Sequence, residues 1–464
     1  MFTKIAGRIP RLSKAGRLRR EKSRSDPNFL GCRNSRLTWI FPGADGAVGL
    51  LIVITLAIPS FGQAPAGERL LAHPKFQAAQ DFLSKDHDRF IRETIQITEI
   101  EAPPLQEERR ARAYADMLRQ SGLTDVSIDA EGNVVGVRKG TGNGPLIAIA
   151  AHLDTVFPEG TNVKVRREGT KLYAPGIGDN SRALAVLLTM IRAMEAAKIQ
   201  TASDILFIGN VGEEGPGDLR GMKYLFQKGP YKDKIKMFIS LDPFGAGNDI
   251  TIAGIGSKRF KVTFKGPGGH SFGSFGLVNP AFALGNAITK LSKMQVPSRP
   301  KTTFNVGVIG GGTSVNSIPF ESWMDVDIRS ETKEELAKAV DTFGKLMHEA
   351  VDEENRARST SQGKVEVEVK VIGDRPFGQI SVGSPLVQTA SALIQAFGMT
   401  PLYGMSSTDA NIPMSMGIPA ITMESGGTGG RNHTLEEWID VEKAPSLRGI
   451  NAALGTLLAL AGIQ

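Results

Sequence analysis

"IAIAAHLDTVFPEGT", residues 147–161, opens as an unbroken apolar run and then delivers His152 and Asp154. Such a run, bounded by polar residues, reads as a buried strand of a parallel sheet with helices covering both faces. Packing gives such a strand no reason to end in an imidazole and a carboxylate two residues apart. A ligand does, because open α/β sheets bind their ligands beyond the carboxyl ends of the strands.

The same texture continues on both sides. Residues 75–120 carry two helical patterns, the second with Pro near its start and Gly at its end. "VSIDAEGNVVGVRKG" reads as a hairpin about Glu131, Gly132 and Asn133. "RALAVLLTMIRAMEAAK" is an apolar-rich helix, "DILFIGNVGEEG" a second buried strand, "MKYLFQKG" a short helix and "KMFISLDPFG" a third strand. Strands alternating with helices predict an α/β layer with a largely parallel sheet. Near Ser257 the pattern changes to strand, helix, two strands, long helix and strand, a β-α-β-β-α-β order that reads as a ferredoxin-like α+β unit inserted at 257–374. The α/β texture returns after Arg375, so 70–256 and 375–464 form one interrupted domain.

The formal charge of +7 belongs to the amino-terminal segment. Residues 1–62 carry 11 Lys/Arg against 3 Asp/Glu, leaving 44 against 45 for the rest, which argues against a nucleic-acid surface on the folded part. A basic stretch precedes the 13-residue apolar run "AVGLLIVITLAIP" and the small residues of "SFGQAPA", the layout of an export signal over 1–64. The run is shorter than the roughly 20 residues of a spanning helix, so the expectation is a cleaved signal, a periplasmic or secreted product and no stable membrane span. An uncleaved anchor, a transit peptide and a downstream start are the competing readings. Cys32, the only cysteine, lies in this segment. The remainder therefore has neither disulfides nor thiolate metal sites, and any metal must be held by His, Asp and Glu.

Five sequence-distant loops at or near strand ends deliver such groups: His152 with Asp154, Asp179 in "PGIGDNS", Glu213 and Glu214, Asp242 in "ISLDPFG", and His433 in "GGRNHTLEE". Each has an ordinary reading alone: a helix cap for Asp179, a solvated loop for the glutamates, turn chemistry for Asp242–Pro243. Together they argue otherwise, because like charges at buried strand ends repel unless a cation offsets them. His/Asp/Glu donors suit zinc, and two ions sharing a carboxylate suit the surplus of acids.

In order and approximate spacing these motifs resemble the dinuclear zinc exopeptidases and amidohydrolases, the family of carboxypeptidase G, aminoacylase, succinyl-diaminopimelate desuccinylase and peptidase T. The resemblance covers about residues 75–464 and implies a zinc-exopeptidase-type α/β catalytic domain with an inserted lid and dimerisation domain. It implies two Zn²⁺ per subunit, with Co²⁺ or Mn²⁺ able to use the same donors: His152 and Asp242 on one ion, Glu214 and His433 on the other, Asp179 bridging. Asp154 would orient the His152 ring, and Glu213 would act as general base. Asn180 departs from the family, where many relatives have a second acid; the Asp179–Asn180 peptide is often cis in the family. The inserted unit would supply His270, in "KGPGGHSFGSFG", to polarise the scissile carbonyl, commonly in the partner subunit. Asn316, Arg329 and Arg375 would bind a substrate carboxylate or backbone. Without the resemblance, His270 reads as a loop histidine and Arg329 as a surface ion-pair partner.

The function implied is an exported metallopeptidase removing residues from short peptides, di- and tripeptides among them, with N-acyl-amino-acid deacylation as the alternative. "GEEGPGDLRGMKYLF" and "GGHSFGSFG" look more like the peptidase branch. The expected partners are a small peptide or N-acyl amino acid and a second copy of the chain. A non-catalytic binding protein on this fold would have lost Glu213 or a ligand, and all are present.

Overall fold

The computed structural model describes residues 66–464. The leader read over 1–64, with Cys32, lies outside the described residues. Strand Leu146–His152 lies between Ile205–Asn210 and Ile235–Leu241 and runs parallel to both. The main sheet has nine strands. From one edge they run Asp125–Ile128, Val134–Arg138, Ile205–Asn210, Leu146–His152, Ile235–Leu241, Ala420–Met423, Asp249–Gly254 and Gly378–Gln379, with Leu402–Ser406 also paired to Asp249–Gly254.

The apolar run divides its side chains between two cores, as strand geometry requires. Ile147, Ile149 and Ala151 pack into the core that holds helix Arg182–Ala196. Ala148 and Ala150 pack on the opposite face, with Met222, Leu225 and Phe226 of helix Arg220–Gln227. Helix Arg182–Ala196 is buried over nearly its whole length, which explains why apolar residues dominate its sequence on every side. It packs against the long helix Pro74–Thr98. The hairpin expected at 131–133 joins Asp125–Ile128 to Val134–Arg138.

Residues 256–375 build a separate four-stranded antiparallel sheet in the order Thr302–Gly311, Glu321–Ser330, Gly256–Lys265, Glu366–Arg375. Helices Pro280–Leu291 and Lys333–Ala357 complete the β-α-β-β-α-β order. Strand Glu321–Ser330 alternates half-buried and buried residues along its whole length. Its Met324 and Val326 pair in register with Val262 and Phe260, and Phe260 meets the helical Phe343 at 5.0 Å between ring centroids.

A third sheet was not legible in the sequence, because its strands are three residues long and carry no period. It runs Thr428–Gly430, Trp438–Asp440, Lys171–Tyr173, Arg166–Glu168. This sheet ties the segment before Asp179 to the segments on either side of His433. Among the described residues, no helix is long and apolar enough to cross a membrane.

Candidate metal centre

The main sheet carries three of the five expected loops at one end, and the turn before helix Arg182–Ala196 and a loop of the small sheet bring the other two to them. His152 is the last residue of its strand, Asp242 follows Ile235–Leu241 directly, and Glu213 and Glu214 lie just beyond Ile205–Asn210. Asp179 sits in the single turn Ile177–Ser181 that leads into helix Arg182–Ala196, with φ −119° and ψ 88°, and its peptide bond to Asn180 is cis. His433 adopts a positive φ of 61° in the loop between Thr428–Gly430 and Trp438–Asp440. Gly178 lets this turn sit against its neighbours, since a Cβ there would lie 2.3 Å from the Phe244 ring.

The two imidazoles meet at one carboxylate. Asp179 Oδ1 lies 3.0 Å from His152 Nε2, and Asp179 Oδ2 lies 3.2 Å from His433 Nε2. His152 Nε2 is also 3.7 Å from Asp242 Oδ1, and His433 Nε2 is 3.0 Å from Glu214 Oε1. The donor atoms of His152, Asp179 and Asp242 fall within 4.8 Å of one another, as do those of Asp179, Glu214 and His433. His152, Glu213 and Glu214 form a further such group.

Charge in this pocket is unbalanced without a cation. Burial pushes the Asp242 carboxyl up to about 6 and the Asp409 carboxyl up to about 7. Burial likewise drives Glu213 well above the usual carboxylate range, with Arg375 opposing and Glu214 adding to the rise. Burial would also raise Asp179, but the hydrogen bonds from His152 and His433 outweigh it and hold that carboxyl low. Hydrogen bonds to Asp179 and Glu214 raise His433 to about 10. Burial would lower His152, yet Asp154, Asp179 and Asp242 hold it well above its ordinary value. The donor set, two imidazoles among closely spaced buried carboxylates, fits a pair of divalent ions sharing Asp179.

Peptidase family M20/M25/M40 has a family model that matches residues 148–456, more than half of the chain and all five expected ligand positions. The chain belongs to that family. It is 26% identical over 326 residues to carboxypeptidase G2 of Pseudomonas sp. strain RS-16, covering 68% of this chain and 74% of that one. Aminopeptidase PepT from Bacillus cereus superposes with a TM-score of 0.64 at 23% identity, covering 81% of this chain and 99% of that one. The YXEP protein of Bacillus subtilis, a dinuclear metal-binding peptidase of the M20 family, gives 0.58 at 17% identity over 81% of this chain and 99% of that one. The chain is thus a metallohydrolase of the M20 family, with the mixed α/β fold that its sequence predicts.

Within this M20 chain several residues stand elsewhere than expected. The His152 ring is oriented by the backbone carbonyl of Asp154, 3.0 Å from Nδ1, rather than chiefly by its carboxylate, which lies 3.6 Å away. That carboxylate instead accepts the backbone N–H groups of Glu213 at 3.0 Å and Glu214 at 2.7 Å. Arg375 lines the cleft as expected and is also paired with Glu213: it donates to Oε1 at 3.1 Å, to the Glu213 carbonyl, and to Ser407 Oγ at 3.2 Å. Arg329 does line the cleft of about 450 Å³ over the candidate ligands. His270 and Asn316 do not line it; they sit together on an exposed two-stranded ribbon in which Gly269–His270 pairs with the distant Ser317–Ile318.

Three residues of the site escaped the sequence reading. Arg259 lines the cleft beside Arg329, and both donate to Asp327, at 3.4 and 2.6 Å. The alternation of "KRFKVTFKG" could have exposed it, since Arg259 lies on the face opposite Phe260 and Val262. Asp409 is buried behind the centre and accepts both of its bonds, 2.9 and 2.8 Å, from Asn210 Nδ2. Glu437 accepts the backbone N–H groups of Gly176, Gly178 and Asp179 at 3.0, 2.8 and 2.9 Å. Asp409 before a short helix and Glu437 in a charged loop have no local pattern that marks them.

Proposed function

We propose that this chain is an exported, zinc-dependent exopeptidase that hydrolyses short peptides as a homodimer. The observation that carries the reading is Asp179, whose two carboxylate oxygens each face a different imidazole within 3.2 Å. His152, Asp179 and Asp242 would hold one ion, and Asp179, Glu214 and His433 the other. Zinc suits this nitrogen and oxygen set; Co²⁺ and Mn²⁺ can use the same donors. Bound there, the ions would polarise the scissile carbonyl and make water acidic enough to attack near neutral pH.

The chain's own groups account for the remaining work. Glu213, next to a candidate ligand and buried, takes a proton from the attacking water and delivers it to the departing amine. Arg375 holds one Glu213 oxygen and the Glu213 carbonyl, so the proton-carrying oxygen has a fixed direction. Arg329 is steadied at Nε by Asp327, which leaves the far end of its fork for a substrate carboxylate. Peptides and N-acyl amino acids both offer that carboxylate, so deacylation is the competing activity.

Export rests on the basic and apolar layout of residues 1–62. Dimerisation rests on the two-stranded ribbon that carries His270 and Asn316, where Phe272 and Val315 are 87% and 102% exposed. Phe275, at 86% exposed, adds to the same apolar cluster; clustered exposed apolar surface suits a covering partner, and a second copy that covers it would bring His270 toward a cleft. The test is hydrolysis by the purified protein of di- and tripeptides against N-acetylated amino acids, before and after chelation, with Glu213→Ala alongside. Chelation-sensitive cleavage of free peptides, lost in Glu213→Ala while metal stays bound, supports the reading. Turnover of N-acyl substrates alone replaces it with deacylation.

A further inference from the structure

We infer that Glu437 is a positioning residue that aims Asp179 at both ions at once. The inference rests on the dinuclear reading above. Asp179 can serve two ions only if its side chain leaves the backbone along the line between the two donor groups. That direction is set by the turn Ile177–Ser181, in which Asp179 and Asn180 depart from helical geometry. A turn without a regular ladder needs other acceptors for its N–H groups.

Glu437 supplies them from 258 residues away. Its Oε1 accepts Gly178 N–H at 2.8 Å and Asp179 N–H at 2.9 Å, and its Oε2 accepts Gly176 N–H at 3.0 Å. Its own backbone is fixed in turn: the Glu437 carbonyl accepts Ala174 N–H at 3.1 Å, and its N–H donates to Thr434 at 3.2 Å. The side chain is fully buried. A carboxylate so placed beside Asp179 is costly for packing alone. Glu437 also lies four residues after His433, so one carboxylate ties the bridging donor to the loop that carries the second imidazole. A glutamine of the same shape cannot replace it, because its amide nitrogen would face a backbone N–H in place of an acceptor.

The test compares the full chain with Glu437→Gln and Glu437→Asp, each stripped of metal and titrated with Co²⁺ while the visible spectrum is recorded. Zn²⁺ affinities are measured by competition with a chelator. Loss of a group that orients metal ligands typically weakens affinity about 10–100-fold, and that loss is expected in Glu437→Gln for both ions. An altered cobalt spectrum and a fall in kcat larger than any rise in KM should accompany it, with secondary structure intact. Glu437→Asp keeps the charge on a shorter arm and is expected between Glu437→Gln and the unaltered chain. If the unaltered chain binds two cobalt ions and both folded variants match its affinity and spectrum, this inference falls and the dinuclear reading stands. If the unaltered chain binds no cobalt, both fall together. Two variants that fail to fold would assign Glu437 to folding and overturn the inference.

Discussion

Asp154→Asn separates two roles for one carboxylate. Asp154 accepts Glu213 N–H at 3.0 Å on one oxygen and Glu214 N–H at 2.7 Å on the other. An amide keeps one acceptor and turns an NH₂ group toward the second N–H. That loses one charge-assisted bond, worth about 1.5–3 kcal/mol, and leaves a buried donor unpaired at about 1–3 kcal/mol. Partial relaxation of the loop leaves a net cost of about 3 kcal/mol at the Glu213–Glu214 segment, about a hundredfold in rate at 1.4 kcal/mol per factor of ten. The backbone carbonyl that orients His152 is untouched. The expected variant therefore keeps metal at His152 and Asp242, weakens it at Glu214 and His433, and loses about 100-fold in kcat. The assay is peptide hydrolysis with metal content determined on the same sample. A variant with two ions and kcat within about threefold of the unaltered chain would refute the reasoning; so would loss of the His152-bound ion first.

Chelation should abolish hydrolysis, and restoring the metal at about 1,000 times its Kd should return about 4 kcal/mol of stability, read as a higher unfolding midpoint. In the metal-free chain, burial holds Asp242 near 6, and Asp409 and Glu437 near 7. The native form therefore binds more protons than the unfolded chain between about pH 4 and 7, so stability falls as pH rises through that window; calorimetry at pH 5 and pH 7.5 should give the lower midpoint at pH 7.5. Arg329→Met removes a charged hydrogen-bonding group from the cleft and should cost roughly 10–100-fold in kcat/KM for substrates with a free carboxylate, but not for their amides. Gly178→Ala places a methyl 2.3 Å from the Phe244 ring; overpacking of this kind costs about 1–3 kcal/mol, and thermal unfolding together with metal content should both register it.

The fold was readable wherever a period or a long apolar run carried it. Leu146–His152 and helix Arg182–Ala196 announce themselves because burial on nearly all sides makes most of their residues apolar, with the few polar ones near the ends or paired in the core. Strand Trp438–Asp440 is three residues long and gains its place only from pairing with Lys171–Tyr173, far away in the chain. The candidate ligands were readable because each interrupts a buried strand end or a glycine-rich turn with a chemistry that packing does not ask for. Their supports were readable only in part: Asp154 stands out beside His152, but its bonds to the Glu213–Glu214 backbone do not, and Glu437 is not marked at all. Asp154 and Glu437 act through backbone N–H groups, and every residue except proline offers one, so no side-chain motif records the partner. The charge of Arg375 is visible in sequence and the residue lines the cleft, whereas its pairing with Glu213 depends on the fold.

The most direct measurement is the metal content per chain of the purified protein and of Asp179→Ala, by elemental analysis after removal of free metal, with peptide hydrolysis on the same samples. A shared bridge predicts two ions in the unaltered chain and loss of both, with activity, in Asp179→Ala. Two ions retained in the variant, or at most one in the unaltered chain, would contradict the dinuclear account.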